Sequence, residues 1–283
     1  VHSGHRAVLG AAVTYAAQHG LTAAAFTFEL PGNNSLKGGR ILSLAQKHTR
    51  VAQLGIAQYW EPSFEEFRAL SPEDFVRRVL VDCFHAKAVF CGDNFTFGAY
   101  AAGNVALLEQ LCAPYGITVD VVPMAQYGGQ TVSSTRIRAA LEEGRLDDAN
   151  AMLGKPYAID WAVTHGKGIG SGKLGTPTIN QNYPAEALQP CTGVYLTRIW
   201  LDGQWRPAAT GIGRRPTVDS SANAAVTCET FVPDYAGNVY GRAPVLEFHK
   251  YLCPVRKFGS MDELAALIHH AAEESKAYFA AQH

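Results

Sequence analysis

The 283-residue sequence predicts two domains: an α/β domain on an open, mostly parallel sheet, then a small antiparallel β-barrel that ends in a helix. Three observations predict it. Up to Gly154, helical apolar patterns alternate with short apolar runs, the rhythm of an α/β fold. After Leu153-Gly154-Lys155-Pro156-Tyr157, where Gly and Pro close a helix, the pattern becomes short strands with turn residues between them. Ser260 and Glu263 then form a capping box ahead of Leu264, Leu267, Ile268, Ala271 and Tyr278, which share one apolar helical face. The domains are expected at residues 1–154 and 155–283, each long enough to bury a core.

In the first domain, VHSGHRAVLGAAVTYAAQHGL predicts a helix with Val8, Leu9, Ala12 and Tyr15 inward. His2 and His5, three apart at its first turn, suit an anion, because a helix N-terminus already attracts phosphate and imidazoles can hydrogen-bond its oxygens. Residues 22–28 read as a strand, 29–40 as a Pro/Gly/Asn loop, 43–54 as a helix and 56–60 as a strand. Ser71-Pro72-Glu73-Asp74 starts a helix to about Asp82, with an N-cap hydroxyl, Pro at the first helical position and acids at the positive end of the dipole. Residues 86–91 form a strand that runs into GDNFTFG (Gly92 to Gly98), at a strand's carboxyl end where open α/β sheets place ligands. Asn94, Phe95 and Phe97 are the groups there to which a planar ring could dock. A helix over 105–115 and a strand over 117–122 follow, then VSSTRIR, where Ser133, Ser134 and Thr135 open a helix beside Arg136 and Arg138, a fork for phosphate.

The second domain opens with Ile159 to Thr164 as a strand and then HGKGIGSGKLGTPTIN, residues 165–180. Glycines at 166, 168, 170, 172 and 175 let backbone N–H groups approach an anion, and Lys167 and Lys173 supply charge. It is not a Walker loop: Lys167 stands where the first Gly is needed and Leu174 where Ser or Thr is. Gly170, Gly172 and Gly175 have dinucleotide-fingerprint spacing, but Pro177 follows where a helix would open. What remains is a glycine-rich flap ahead of Thr178 and Asn180, neutral oxygen donors suited to Mg²⁺ carried on a nucleotide. Strands are expected over 194–201, 205–212, 225–231 and 245–252, with Asp202-Gly203 turning one hairpin and Gly237-Asn238 breaking another. Glu229 sits mid-strand, where a charge is costly unless paired or functional. Strand alternation does not decide which face it takes.

The pattern G-x-G-x-G-x-x-L-G-x-P-T-x-N, standing as Gly166 to Asn180, resembles the ATP-binding signature of the riboflavin kinase family. The resemblance implies that Gly166, Lys167, Gly168, Gly170 and Lys173 cover ATP. It further implies that Thr178 and Asn180 hold Mg²⁺ and phosphates, and that Glu229, ahead of the Tyr240-Gly241 turn, is the catalytic base. His2-x-Gly4-His5 with Ser134 to Arg138 resembles the HxGH nucleotidyltransferase superfamily, and GDNFTFG with LSPEDF resembles the FMN adenylyltransferase module of bacterial bifunctional FAD synthetases. That implies a Rossmann-like first domain in which His2, His5, Ser134, Thr135, Arg136 and Arg138 contact ATP and Asn94 helps to hold flavin. The expected substrates are riboflavin, FMN and ATP. In place of the family's TFxPHP segment this chain has Thr27-Phe28-Glu29-Leu30-Pro31, without the His, and Val1 falls inside the motif, so a short upstream piece is expected. The rival expectations are a kinase with a scaffold first domain and a flavin sensor without activity.

Bulk properties exclude other classes. Lys plus Arg number 24 against 25 Asp plus Glu, which argues against a nucleic-acid or membrane-surface partner. Six dispersed cysteines lack metal-finger spacing and read as buried free thiols of a cytoplasmic protein. No apolar run approaches the roughly 20 residues of a membrane span.

Overall fold

The structure is a computed structural model and describes residues 1–28, 39–165, 178–214, 226–254 and 261–282. The chain forms two compact units, the first of residues 1–34 and 44–133, the second of 35–43 and 134–283.

In the first unit, helix α1 (Ser3–His19) ends at Gly20 in the left-handed conformation, φ 65°. It buries Ala16 against Ala23, Val51 and Ile56, with Leu9 and Val13 alongside. Val8, Ala12 and Tyr15 are only partly buried. Strand β1 (Ala24–Phe26) pairs in parallel with β2 (Gln58–Trp60), with α2 (Leu44–Gln53) lying between them in sequence. After the short helix α3 (Phe64–Phe67), Ser71 caps α4 (Pro72–Phe75) by accepting from Asp74 N at 3.1 Å. The helix expected to reach Asp82 continues from Val76 to Cys83 with π geometry and buries Val76, Val79 and Leu80. Strand β3 (Ala88–Gly92) pairs in parallel with β4 (Thr118–Val122). Between them α5 (Val105–Cys112), capped by Asn104, returns the chain. Parallel pairs joined through helices are the α/β architecture that the rhythm predicts. A small hairpin, β5 (Gln126–Tyr127) and β6 (Gln130–Thr131), turns on Gly128 and Gly129, both at positive φ.

The second unit begins with α6 (Ser134–Glu142) and α7 (Leu146–Leu153), so the compact units part ahead of these two helices. Its sheet is seven-stranded and antiparallel, in the order β7 (Tyr157–Ile159), β13 (Leu246–Cys253), β10 (Gly193–Leu201), β11 (Gln204–Arg214), β12 (Val226–Phe231), β9 (Thr178–Asn182), β8 (Val163–Thr164). The single strand expected over 159–164 is broken: Ile159 ends edge strand β7, and Val163 and Thr164 form edge strand β8. Only residues 160–162 separate them, which can span at most about 14 Å, whereas a flat seven-stranded sheet would hold its edges about 29 Å apart. The sheet must therefore curl round, and that is the predicted barrel. Asp202 and Gly203, at φ 50° and 82°, make the β10–β11 turn, in which both central residues need positive φ.

Residues on one sheet face fill the interior, among them Tyr157, Tyr195, Ile199, Ile212 and Phe248. A line of buried hydroxyls runs through it: Thr197 Oγ1 lies 2.8 Å from Thr210 Oγ1, which lies 2.9 Å from Thr230 Oγ1, and Thr197 also donates to Ala208 O. Helix α8 (Met261–Ala280) crosses the other face, setting Ala271 and Ala272 on Val194, Ala209 and Phe231. Ser260 of the expected capping box lies outside the described residues.

All six cysteines are free. Cys91, Cys112 and Cys228 are buried as expected, but Cys83 is exposed and Cys191 and Cys253 are half-buried, because they fall at a helix end and at strand ends. No helix among the described residues is long and apolar enough to cross a membrane.

Candidate functional sites

Strand register assembles the first site. Asn180 on β9 stands opposite Glu229 on β12, Glu229 stands opposite Gly211 on β11, and Thr164 on β8 stands opposite Asn180. Directly paired residues project to the same face, so Thr164, Asn180, Glu229 and Gly211 form one row across four strands. Thr178 lies on that face two residues earlier, opposite Phe231. The row sits on the face that α8 crosses, since Phe231 and Ala209 belong to it and pack under the helix. The face of Glu229 is thereby decided: it points away from the barrel interior, which the threonine line occupies.

Space beside Glu229 comes from glycine. Among the described residues, a Cβ at Gly213 would meet nothing within 4 Å, and one at Gly211 would meet only the Glu229 carbonyl, at 4.0 Å. Two side-chain-free positions on one strand face leave a shallow bay next to the carboxylate. The carboxamide of Asn180, 6% exposed, donates from Nδ2 to Thr178 O at 3.1 Å and more weakly to Thr178 Oγ1 at 3.5 Å. Among the described residues no group of three His, Cys, Asp or Glu side chains could hold a metal ion. Thr178 and Asn180 present neutral oxygens, the donor type that suits an Mg²⁺ carried on a nucleotide. Gly166, Lys167, Gly168, Gly170 and Lys173 lie outside the described residues.

The second site is the start of α1. His2 is the N-cap, its Nδ1 accepting from His5 N, while His5 Nδ1 accepts from His2 N, at 3.4 and 3.3 Å. This is a capping box in which imidazoles replace the usual hydroxyl and carboxylate. It has a chemical consequence. A ring nitrogen that accepts cannot carry the proton, so each neutral ring is assigned its hydrogen on Nε2, and both become donors through that atom. The rings are 3.8 Å apart. Desolvation pushes His2 down to about 4, and desolvation, with the His2 and Lys47 charges, lowers His5 further. Both are neutral at pH 7. Gly4 between them relieves crowding, since a Cβ there would meet His2 Cε1 and Nδ1 at 3.2 Å.

The turn after β3 partly departs from expectation. Asn94 is exposed, but Phe97 is 6% exposed and packs against Phe75, Phe95 and Gly103, where a Cβ would come within 2.6 Å of its ring. Burial leaves Phe97 no face for a ligand ring, and Phe95 packs partly into the same core. The exposed aromatic of this turn is Tyr100, at φ 55°. Ser134 and Thr135 open α6 as expected, with Thr135 exposed. Arg138, however, is half-buried, with Nε donating to Gly39 O at 2.9 Å, so part of its fork is taken up by backbone. Desolvation lowers its pKa, although Glu142 opposes this.

Residues 1–136 match the family model described as FAD synthetase, and residues 153–279 match the model described as riboflavin kinase. A bifunctional riboflavin kinase/FMN adenylyltransferase from Pseudomonas fluorescens is 32% identical over 95% of this chain and 86% of its own length. The enzyme of the same name from Bacillus subtilis is 31% identical over 99% of this chain and 89% of its own length. The chain belongs to the bifunctional riboflavin kinase/FMN adenylyltransferase family. A solved structure described as a macrolide-efflux protein from Streptococcus pneumoniae superposes on 97% of the chain, and on 90% of its own, with a TM-score of 0.84 at 23% identity. At that identity the likeness shows the shared fold alone.

Sequence reasoning missed three participants in these sites: Gly211, Gly213 and Thr164. The first two left a signal, because glycines alternating inside a strand, Thr210-Gly211-Ile212-Gly213, mark a face kept clear for something else.

Proposed function

We propose that this chain phosphorylates riboflavin to FMN in residues 155–283 and adenylylates FMN to FAD in residues 1–154, using ATP for both. The observation that carries the kinase reading is the register setting Glu229 directly opposite Asn180 beside the Gly211–Gly213 bay. Glu229 takes the proton of the riboflavin 5′-hydroxyl as that oxygen attacks the γ-phosphorus, and ADP leaves with the bridging oxygen. Thr178 and Asn180 would hold the Mg²⁺, which supplies charge neutralisation on the phosphates. Lys167 and Lys173 of the glycine-rich segment are proposed as further phosphate contacts.

In the first domain a phosphate oxygen of FMN attacks the α-phosphorus of ATP and pyrophosphate leaves. No base is needed, because the nucleophile is already an anion. His2 and His5 act as Nε2–H donors to the phosphates as charge moves onto the leaving group, with the free N–H groups at the start of α1 behind them. Asn94 is proposed as the flavin contact of that domain, and the protein's place as the cytoplasm.

The test is product analysis. The full-length protein is incubated with riboflavin, ATP and Mg²⁺, and FMN is separated from FAD. A parallel reaction starts from FMN. Both products are expected. FMN without FAD, even with FMN in excess, would leave the first domain without its proposed activity.

A further inference from the structure

Gln181 on β9 is fully buried, at 0% exposure, and stands in a row with Val163 on β8, Cys228 on β12 and Ile212 on β11. Paired residues share a face, so this row lines the barrel interior, one position along from the row of Asn180 and Glu229. A carboxamide among such side chains costs stability unless its polar atoms are paired. Its Nε2 is paired twice, donating to Trp161 O at 2.7 Å and to Pro244 O at 3.1 Å. Both acceptors are carbonyls, so the amide end that faces them must be the NH2.

The two carbonyls lie at the seam where the barrel closes. Trp161 is the middle residue of the connector from edge strand β7 to edge strand β8, and Pro244 stands two residues ahead of β13, the partner of β7. Strand β8 has only two residues, fewer than a strand usually has, and offers few side chains to resist a slip. A slip of one residue would turn Thr164 to the other face and take it out of the row with Asn180 and Glu229. The bond to Trp161 O opposes that slip, because it ties a position two residues before Val163 to the residue with which Val163 pairs. The bond to Pro244 O ties the same side chain to the segment on the outer flank of β8, where Arg242 O accepts from Val163 N at 2.8 Å. We propose that Gln181 is a positioning residue of the kinase site: its carboxamide fixes β8 in register on β9 and so holds Thr164 and Asn180 level with Glu229. The inference rests on the kinase reading above. It accounts for a polar side chain in an interior row, since a buried polar group can set register at a cost in burial that an apolar one would not incur.

Gln181→Met keeps the unbranched length of the side chain and removes both N–H donors, whereas Gln181→Asn keeps the donors on a stem one methylene shorter. Misplacing reacting groups by about 1 Å can cost on the order of 10²-fold in rate. In the full chain Gln181→Met should therefore lower kcat for FMN formation about 10- to 100-fold, with both KM values within about threefold and FAD formation from supplied FMN unchanged. Gln181→Asn should fall between Gln181→Met and the wild type. In a double-mutant cycle with Asn180→Ala the combined loss should be smaller than the product of the two losses by about threefold or more, because Gln181 acts through the strand that carries Asn180. A side chain that merely stabilised the barrel would give losses that multiply. Amide hydrogen exchange reads the clamp without turnover: residues 161–164 should exchange about tenfold faster or more in Gln181→Met, while β10 and β11 keep wild-type rates. That contrast in exchange, in a protein whose wild type makes no FMN, would count against the kinase reading alone. Urea unfolding of the second unit is followed for each variant, and Gln181→Asn carries the kinetic test if Gln181→Met is unfolded under assay conditions. The proposal is overturned if a folded variant keeps kcat within about twofold of wild type, if only a KM moves, if the losses multiply, or if exchange at β8 is unchanged.

Discussion

Replacing Glu229 by Gln keeps the shape of the side chain and removes its ability to take a proton. The position makes this a clean perturbation. Glu229 lies mid-strand between Gly211 and Asn180, on the face away from the interior, so β12 keeps its pairing with β11 and β9 and no packed volume changes. A positioned base contributes about 10²–10⁴ in rate, equivalent to about 2.7–5.4 kcal/mol of transition-state stabilisation. The upper part of that range is not expected here, because phosphoryl transfer depends mostly on positioning and charge neutralisation, which Gln leaves intact. FMN formation should therefore fall about 10²–10³-fold in kcat with the KM for ATP within threefold. Glu229→Asp should fall between the two, since it retains the carboxylate but withdraws it by one methylene towards β12. The assay is initial-rate FMN formation at saturating ATP and riboflavin, with FAD formation from supplied FMN measured on the same preparation. A Gln variant within threefold of wild type in kcat would refute the assignment of Glu229 as base. Equal losses in both reactions would show that the substitution acts through folding instead.

Three further outcomes are expected. Asn180→Ala should raise the Mg²⁺ concentration needed for half-maximal FMN formation while FAD formation from FMN stays within twofold, and a parallel loss of both would contradict two separate sites. Since His2 is held neutral, with its pKa lowered from 6.5 to about 4, the unfolded chain binds its proton more readily than the native state between those values. Stability should thus fall as pH drops from 6.5 towards 4, and His2→Asn, which keeps a capping side chain without a titrating ring, should flatten the fall in thermal melts at pH 7, 5.5 and 4.5. Thr210→Val removes the middle hydroxyl of the buried line Thr197–Thr210–Thr230 and should cost about 1–3 kcal/mol in urea unfolding of the second unit. Thr210→Val combined with Thr230→Val should cost less than the sum of the two changes, because the second removes a group that the first left unsatisfied.

Local chemistry made most of the fold legible. Ser71-Pro72 started its helix, Asp202-Gly203 turned its hairpin, and the change of pattern after Gly154 announced the antiparallel sheet, because caps, turns and alternation act over a few residues. What the sequence concealed depends on long-range geometry. Residues 159–164 read as one strand, and nothing local shows that closing the barrel requires a break at 160–162 that leaves Ile159 on one edge of the sheet and Val163–Thr164 on the other. In the sequence Thr178–Asn182 has the look of a Pro-fixed oxygen-donor segment and not of a strand, because Pro177 and the polar Thr, Asn and Gln mask its pairing with β12.

The same division governs the sites. His2 and His5 could be placed together from spacing alone, since residues three apart share a helix turn, but the proton on Nε2 follows from a capping box whose hydrogen bonds only coordinates reveal. Phe97 shows the opposite failure: an aromatic in a turn at a strand's end looks available to a ligand, yet Gly103 and Phe75 close over it. For Glu229, alternation within β12 left two faces equally open, and the deciding fact was which residues of β9 and β11 stood opposite. Register is a property of strand pairs. A row spread over four strands, Thr164, Asn180, Glu229 and Gly211, is therefore specified by the pairing of residues up to 49 positions apart, and each residue alone carries almost none of the signal.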